Sequence, residues 1–354
     1  MSRFSHAGLE QYCSQVLEKF GVRSDVGLYV AKGLSQASLR GVDSHGIRLL
    51  PHYINGLEAG RLNPDPTFRF EETSASTGTL DGDNTFGHAT GAQGMGHAIE
   101  LARKSGMGAV AVSNSSHFGA AAYFSLMAPE KVMIGISFTH ADALILSPGG
   151  TRPFFGTNPI CFAAPCLDEE PFCLDMATTT VTWNKLLRSA EEGQSVPIGW
   201  GVDQDGNDIQ DPSNVRALHS IGGYKGFGLG MMVDVLCGLL TGMPFGRDIS
   251  RMYADPIEEK RSLGHFFMAL RIDRFVPADE FKARMQGMMD ALREEPQMDV
   301  DVPIQVAGDP EKQATQDRLK HGIPLSDSEA ESLRNLGRRY EIEFPAVMPG
   351  VAAE

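Results

Sequence analysis

The chain has 354 residues, 42% of them hydrophobic and 21% charged, with a formal net charge of −14. That length calls for two or three subdomains, and so acidic a chain lacks the cationic footprint of a nucleic-acid binder. The segment Met1 to His6 holds no apolar core of a secretory signal.

Two helices are expected between Ala7 and Arg40. Leu9, Tyr12, Cys13, Val16, Leu17 and Phe20 recur at helical spacing before Gly21, and Asp25 is placed to cap a second helix carrying Leu28, Val30, Leu34 and Leu39. A helix from His45 to Leu57 breaks at Gly60, ahead of the Pro64/Pro66 loop. Thr67 to Leu80 has strand character and closes on the turn Asp81-Gly82-Asp83-Asn84. A glycine-studded helix follows over Gly87–Ser105, then the strand Ala109–Val112, a helix near Ala120–Ala128, the strand Met133–Phe138 and two strand-like runs after Pro159. The longest apolar stretch, Phe227 to Phe245, contains Asp234 and several glycines, so it reads as a buried helix of a soluble protein and not as a membrane span. Its helical part is expected over Lys225–Leu240, with a strand over Gly264–Ile272 and helices over Asp279–Arg293 and Ser326–Tyr340. The pattern is mixed α and β with irregular alternation, not a series of βαβ units.

The five cysteines form no Cys-x-x-Cys, and Cys161, Cys166 and Cys173 miss zinc-ligand spacing. Free buried thiols in a reducing cytoplasm, and no metal, are the expectation.

Two short polar clusters carry the chemistry. Asp43-Ser44-His45-Gly46-Ile47-Arg48 puts a carboxylate, a hydroxyl, an imidazole and a guanidinium within one or two turns. Arginine is a planar anion clamp and histidine titrates near neutrality. Arg48 lies three residues beyond His45, so a helix presents both on one face. Ser115-Ser116-His117-Phe118-Gly119 follows the run Ala109–Val112. No Gly-x-Gly-x-x-Gly or phosphate-loop lysine motif is present. Gly91-Ala92-Gln93-Gly94-Met95-Gly96 is read as close helix packing, and Gly222 to Gly228 with Lys225 as a phosphate contact at a helix start. A hydrolase using Ser44 and His45 is disfavoured, because no Gly-x-Ser-x-Gly elbow occurs.

Seven segments occur together: Asp43-Ser44-His45-Gly46, Ser116-His117-Phe118-Gly119-Ala120, Gly156-Thr157-Asn158-Pro159, Asp175-Met176-Ala177-Thr178, Lys225-Gly226-Phe227-Gly228, Gly264-His265-Phe266-Phe267 and Gly308-Asp309-Pro310-Glu311. In this order, over roughly residues 5 to 325, the chain resembles the malate/L-lactate dehydrogenase family of non-Rossmann NAD(P)-dependent oxidoreductases. Gly242 to Tyr253, Asp175 to Thr179 and Trp183 before Lys185 are most similar to its ureidoglycolate dehydrogenases. Where many malate-type members carry Ala-Arg-Gly-Lys, this chain has Thr182-Trp183-Asn184-Lys185.

The resemblance implies an α/β fold of three parts with a mainly antiparallel cofactor-binding sheet. The parts are a helical one from 1–65 and 310–354, the sheet from 66–125 and 255–309, and a third from 126–254 completing the active site. It implies a homodimer, a small carboxylate substrate, and hydride transfer between a 2-hydroxy acid and NAD or NADP, with NAD preferred. His117 is read as the base ahead of His45, which is backed by Ser44; Arg48 is read as the carboxylate clamp, with Thr157, Ala141 and Arg261 also facing substrate. Asp142, His140 and Arg152 are further pocket candidates. The implied cofactor contacts are His117, Phe118, Gly119, Asp175, Met176, Ala177, Lys185, Lys225, Gly226, Gly308, Asp309 and Pro310. An NADPH-dependent reductase of a 2-keto acid or cyclic imine, and a ligand-binding protein that kept the fold, are the alternatives.

Overall fold

Periodicities of 3.6 and 2.0 residues along the chain resolve into helices and strands in the computed structural model, which describes residues 1–348. From the N-terminus, β1 (Ser2–Phe4), α1 (His6–Lys19), α2 (Ser24–Leu39) and α3 (Leu50–Glu58) precede β2 (Arg69–Ser74), β3 (Thr77–Asp81), α4 (Gly87–Ser105) and β4 (Met107–Ser115). The middle runs through α5 (Ala122–Ser125), β5 (Met133–Thr139), β6 (Ile145–Leu146), β7 (Pro153–Phe155), β8 (Ile160–Ala164), β9 (Phe172–Met176), α6 (Trp183–Glu191), β10 (Gly201–Val202) and β11 (Ala217–Leu218). Then come α7 (Tyr224–Asp234), β12 (Leu263–Arg271), α8 (Ala278–Arg293), α9 (Asp309–His321), β13 (Ile323–Leu325) and α10 (Asp327–Arg339).

Elements from both the N-terminal and the C-terminal described segments pack into one helical part. Strand β1 pairs antiparallel with β13, and Leu9, Tyr12, Val16 and Leu17 of α1 share a core with Val30 and Leu34 of α2, Ile54 of α3 and Leu333 of α10. Ser5 caps α1 by accepting from Gly8 N, and Ser326 with Glu329 forms a capping box on α10. Asp25 does not cap α2; it lies in the first turn and pairs with Arg23 at 2.6 Å.

The large sheet has the order β2-β3-β4-β12-β5-β8-β9 and is antiparallel except between β3 and β4. Strands β5, β8 and β9, assigned from sequence to the third part, therefore belong to this sheet. The third part keeps the small sheet β10-β11-β6-β7 and a core of Val181, Leu186, Val196, Ile209, Val215 and Leu218. The apolar stretch from Phe227 is not the buried helix expected. Helix α7 continues as a π turn, Val235–Leu239, and Asp234 is buried while Met231, Leu239 and Leu240 are exposed. Among the described residues no helix is long and apolar enough to cross a membrane.

Helix α4 lies on β4 and β12; Gly91 and Gly94 make the close approach predicted for them, whereas Gly96 faces open space. A Cβ on Gly91 would sit 2.5 Å from the Phe124 ring, and one on Gly94 2.7 Å from Phe267. Gly87, at the start of α4, faces backbone: a Cβ there would lie 2.3 Å from Ser116 O and 2.5 Å from His117 O. Gly87→Ala is expected to displace the His117 loop and lower unfolding free energy by about 1–3 kcal/mol, read from urea denaturation.

Candidate active site

Burial brings the two histidine clusters together. His45 stands in the connection between α2 and α3, with its Nδ1 2.8 Å from Ser44 Oγ. His117 stands in the loop after β4, its Nδ1 2.6 Å from the hydroxyl of Tyr53 on α3. The two imidazoles stack with centroids 5.5 Å apart and planes at 22°. Burial, with a lesser contribution from the Arg48 charge, lowers the His45 pKa to about 4. Burial, followed by His45, His88 and Arg261, holds His117 well below the ordinary imidazole value. Both rings are therefore neutral at pH 7. If Nδ1–H of His117 donates to Tyr53, Nε2 is left as a free proton acceptor.

Both rings line a cavity of about 390 Å³. Arg261 is another wall residue, only 3% exposed. Its Nη2 donates to Asp142 Oδ1 at 2.7 Å, while Nε and Nη1 have no partner. Buried guanidinium N–H groups without acceptors are costly, and these two nitrogens find none among the described residues. Thr157, Ala141 and Asp142 are on the same wall.

Arg48 does not line this cavity. The expected helix begins only at Leu50; before it, two short 3₁₀ turns, Asp43–His45 and Ile47–Leu49, are split by Gly46 in an extended conformation. The break takes Arg48 out of line with His45. Its guanidinium points to Glu329 at 3.8 Å, and Leu49 occupies the wall instead. Asp43 is engaged elsewhere, accepting from Arg318.

The same cavity is also lined by Gly119 to Ala122, Asp175, Ala177, Trp183, Asn184, Arg40 and Glu311. Asp175 is surrounded by protein, yet its carboxylate opens into the cavity and accepts from Ala122 N at 2.8 Å. Burial pushes its pKa up to about 6, against the opposing backbone hydrogen bond and Arg40. Of the expected cofactor contacts, Gly119, Asp175, Ala177 and His117 line this cavity. The structure does not bring the other expected contacts to the cavity. Phe118 is core, stacked on His265 at 4.8 Å, and Met176 is only partly buried beside the wall. Lys185 lies exposed over the Trp200 ring, and Lys225 is exposed at the start of α7. Gly226 packs on its own turn against Ile221 O, and Gly308 packs against Cys173. Asp309 pairs with Arg293 at 2.6 Å, and Pro310 begins α9; from that segment only Glu311 reaches the cavity.

Behind the substrate wall, buried Asn158 adopts φ +34°. It accepts from Ala141 N at 3.1 Å and donates to Gly230 O at 2.8 Å. Asp234 lies 3.3 Å from His140, whose Nε2 accepts from Gly264 N. His140 is thus a positioning group outside the cavity, and Arg152 is exposed. His52 borders a small space of about 10 Å³ with Tyr53, Arg61, His117 and Arg261. Tyr53, Leu49, Arg40, Glu311 and Tyr253 were missed. The one local signal was an apolar helix face that buries a tyrosine hydroxyl, which must find a partner.

The malate/L-lactate dehydrogenase profile matches residues 4–334. The chain is 36% identical over 345 residues to the malate dehydrogenase of Pyrococcus abyssi, covering 95% of this chain and 94% of that one. It is 36% identical over 290 residues to the ureidoglycolate dehydrogenase (NAD(+)) of Escherichia coli K12, covering 82% and 83%. The crystal structure of malate dehydrogenase from Entamoeba histolytica superposes with a TM-score of 0.92 at 31% identity, covering 97% and 99%. The chain belongs to the malate/L-lactate dehydrogenase family.

Proposed function

We propose that this cavity oxidises a small 2-hydroxy acid, passing hydride from the substrate carbon to a nicotinamide. The observation that carries the reading is a cavity lined by both neutral His117 and Arg261, a buried guanidinium with two nitrogens unpartnered among the described residues. Arg261 grips the carboxylate and His117 takes the hydroxyl proton at Nε2, while Tyr53 holds the ring through Nδ1. Gly119 to Ala122, Asp175 and Ala177 hold the cofactor, which supplies the hydride acceptor. NAD is preferred over NADP, because a 2′-phosphate in this cavity would meet the carboxylates of Asp175 and Glu311 against Arg40 alone on that side. The Ser44–His45 hydrogen bond favours a second assignment, in which His45 gives a proton during reduction of a 2-keto acid or cyclic imine. The five free cysteines, all buried, suit a reducing cytoplasm.

Ile221, Leu229, Met231, Met232, Val235, Leu239 and Leu240 expose apolar surface along α7 and its continuation. Such a surface marks an interface, and a second copy of this chain is its occupant.

His117→Ala is expected to lower turnover by about 10²–10⁴-fold, whereas an unchanged rate would remove the base from this position. In the unmodified enzyme the acid limb of kcat/KM should fall below pH 6.5. A depressed imidazole pKa keeps the base form present until the pH drops past that lowered value. Arg261→Gln should raise KM by roughly 10–100-fold in steady-state kinetics, the effect of losing a charge-assisted pair. Met231→Glu with Leu239→Glu should shift the particle mass in light scattering from two chains to one; a monomeric parent would reject the interface.

A further inference from the structure

We propose that Arg61 and Arg261 bind a single monatomic anion, a halide such as chloride, in the small space beside His117. Its binding does not depend on the hydride transfer proposed for the adjoining cavity.

Arg61 is placed by the end of α3. The chain leaves that helix through Gly60 at φ +80°, and Arg61 N donates to Gly56 O at 2.8 Å. The side chain folds back over the last turn, where a Cβ on Gly56 would lie 3.5 Å from Arg61 Cδ. The residue is only 4% exposed. Its Nη2 donates to the Pro256 carbonyl at 3.1 Å, while Nε has no partner among the described residues. No carboxylate among them bonds to it: Glu258 and Glu259 are exposed, and Asp255 accepts from Arg251. Burial, and then the Arg261 charge, work against ionisation of Arg61. A guanidinium nevertheless stays charged in a folded protein.

A buried cation without a counterion is costly. Arg61 and Arg261 share a space of about 10 Å³ that His52, Tyr53, Ser116 and His117 also border, and no carboxylate lines it. Arg261 has one acid, Asp142 at 2.7 Å, and its Nε and Nη1 are unpartnered like Arg61 Nε. Two guanidiniums therefore meet one carboxylate, with three buried donor nitrogens left over. Charge selects an anion, and volume selects which. The space holds about one water-sized sphere, so a carboxylate or phosphate group is too large. Water would accept from the N–H groups without offsetting either charge, whereas a halide does both. With Nδ1–H of His117 donating to Tyr53, the Tyr53 O–H is left to donate to the ion. An anion here also offsets the Arg261 charge, which opposes protonation of His117. Arg261 borders this space and the main cavity alike, so a halide on one side leaves the other for a substrate carboxylate.

Bromide, a heavier halide located by its anomalous scattering, is the probe. A crystal of the unmodified enzyme grown with sodium bromide should show one bromide between Arg61 and Arg261, and a crystal of Arg61→Met should lose it. A water in that space, or the carboxylate of an added 2-hydroxy acid, overturns the proposal. In solution, sodium chloride should raise the melting temperature of the unmodified enzyme by about 2 °C over sodium gluconate at equal ionic strength. Arg61→Met should erase most of that difference, because its aliphatic stem fills the same place without the charge. A difference that is absent from the parent, or equal in the two proteins, also overturns the proposal. The bromide map of the unmodified enzyme stands whether or not the variant folds. An error in assigning the base shows instead in His117→Ala, whose turnover the halide experiments do not use.

Discussion

The site depends on a contact between parts of the fold that are distant in sequence: the Tyr53 hydroxyl against His117 Nδ1. Tyr53 comes from the helical part built by both chain ends, and His117 from the loop that leaves the central sheet. Packing these parts together removes water from both side chains. Tyr53 is 3% exposed, and burial is the largest influence on the ionisation of each. Loss of solvent favours the uncharged forms, so a neutral imidazole is held in one orientation without an acidic partner. His88 extends the same environment. It packs edge-on to Tyr53 with both ring nitrogens unpartnered, and burial lowers its pKa to about 3.

Against this neutral background, a few charged groups line the cavity. Arg261 is buried with its one partner, Asp142, and that pairing fixes the guanidinium plane while leaving two donors unused. The buried Asn158, Asp234 and His140 group acts one layer further out. It holds Ala141 N and Gly264 N, the backbone on which the substrate wall and β12 are mounted. A polar network of this kind contributes position more than stability, because each buried group spends its hydrogen-bonding capacity on compensating its own desolvation.

Much of this was legible in the sequence. Helix α4 runs over the residues expected, since a 19-residue segment ending before a left-handed Gly106 carries both its periodicity and its stop signal. The mainly antiparallel sheet also appears as the family resemblance implied. The division into parts was not legible for β5, β8 and β9, because an apolar run states that it is buried without stating which sheet it joins. The same limit hid Tyr53: a tyrosine on an apolar face announces a hydroxyl in need of a partner, and that partner lies 64 residues later. Cofactor positions carried over by motif fared unevenly. Asp175 and Ala177, on and just after a sheet strand, reach the cavity; Lys185 and Lys225, on exposed helix starts, do not.

The displacement of Arg48 shows how a local backbone choice decides which side chain lines the cavity. In an α-helix His45 and Arg48 would share a face, but Gly46 adopts φ −93°, ψ −158° and divides the segment into two 3₁₀ turns. The division is enforced by Ser38 on α2. Its hydroxyl accepts from Ile47 N at 3.0 Å, and a Cβ on residue 46 would lie 2.1 Å from that same oxygen. Only glycine lets the chain pass so close to α2. The turn that follows then places Leu49, 5% exposed, in the cavity wall and sends Arg48 toward solvent and Glu329. Reading charges along the sequence puts two arginines, Arg48 and Arg261, in this site. The backbone geometry leaves Arg261, and the glycine between the two side chains determines which of its neighbours lines the cavity.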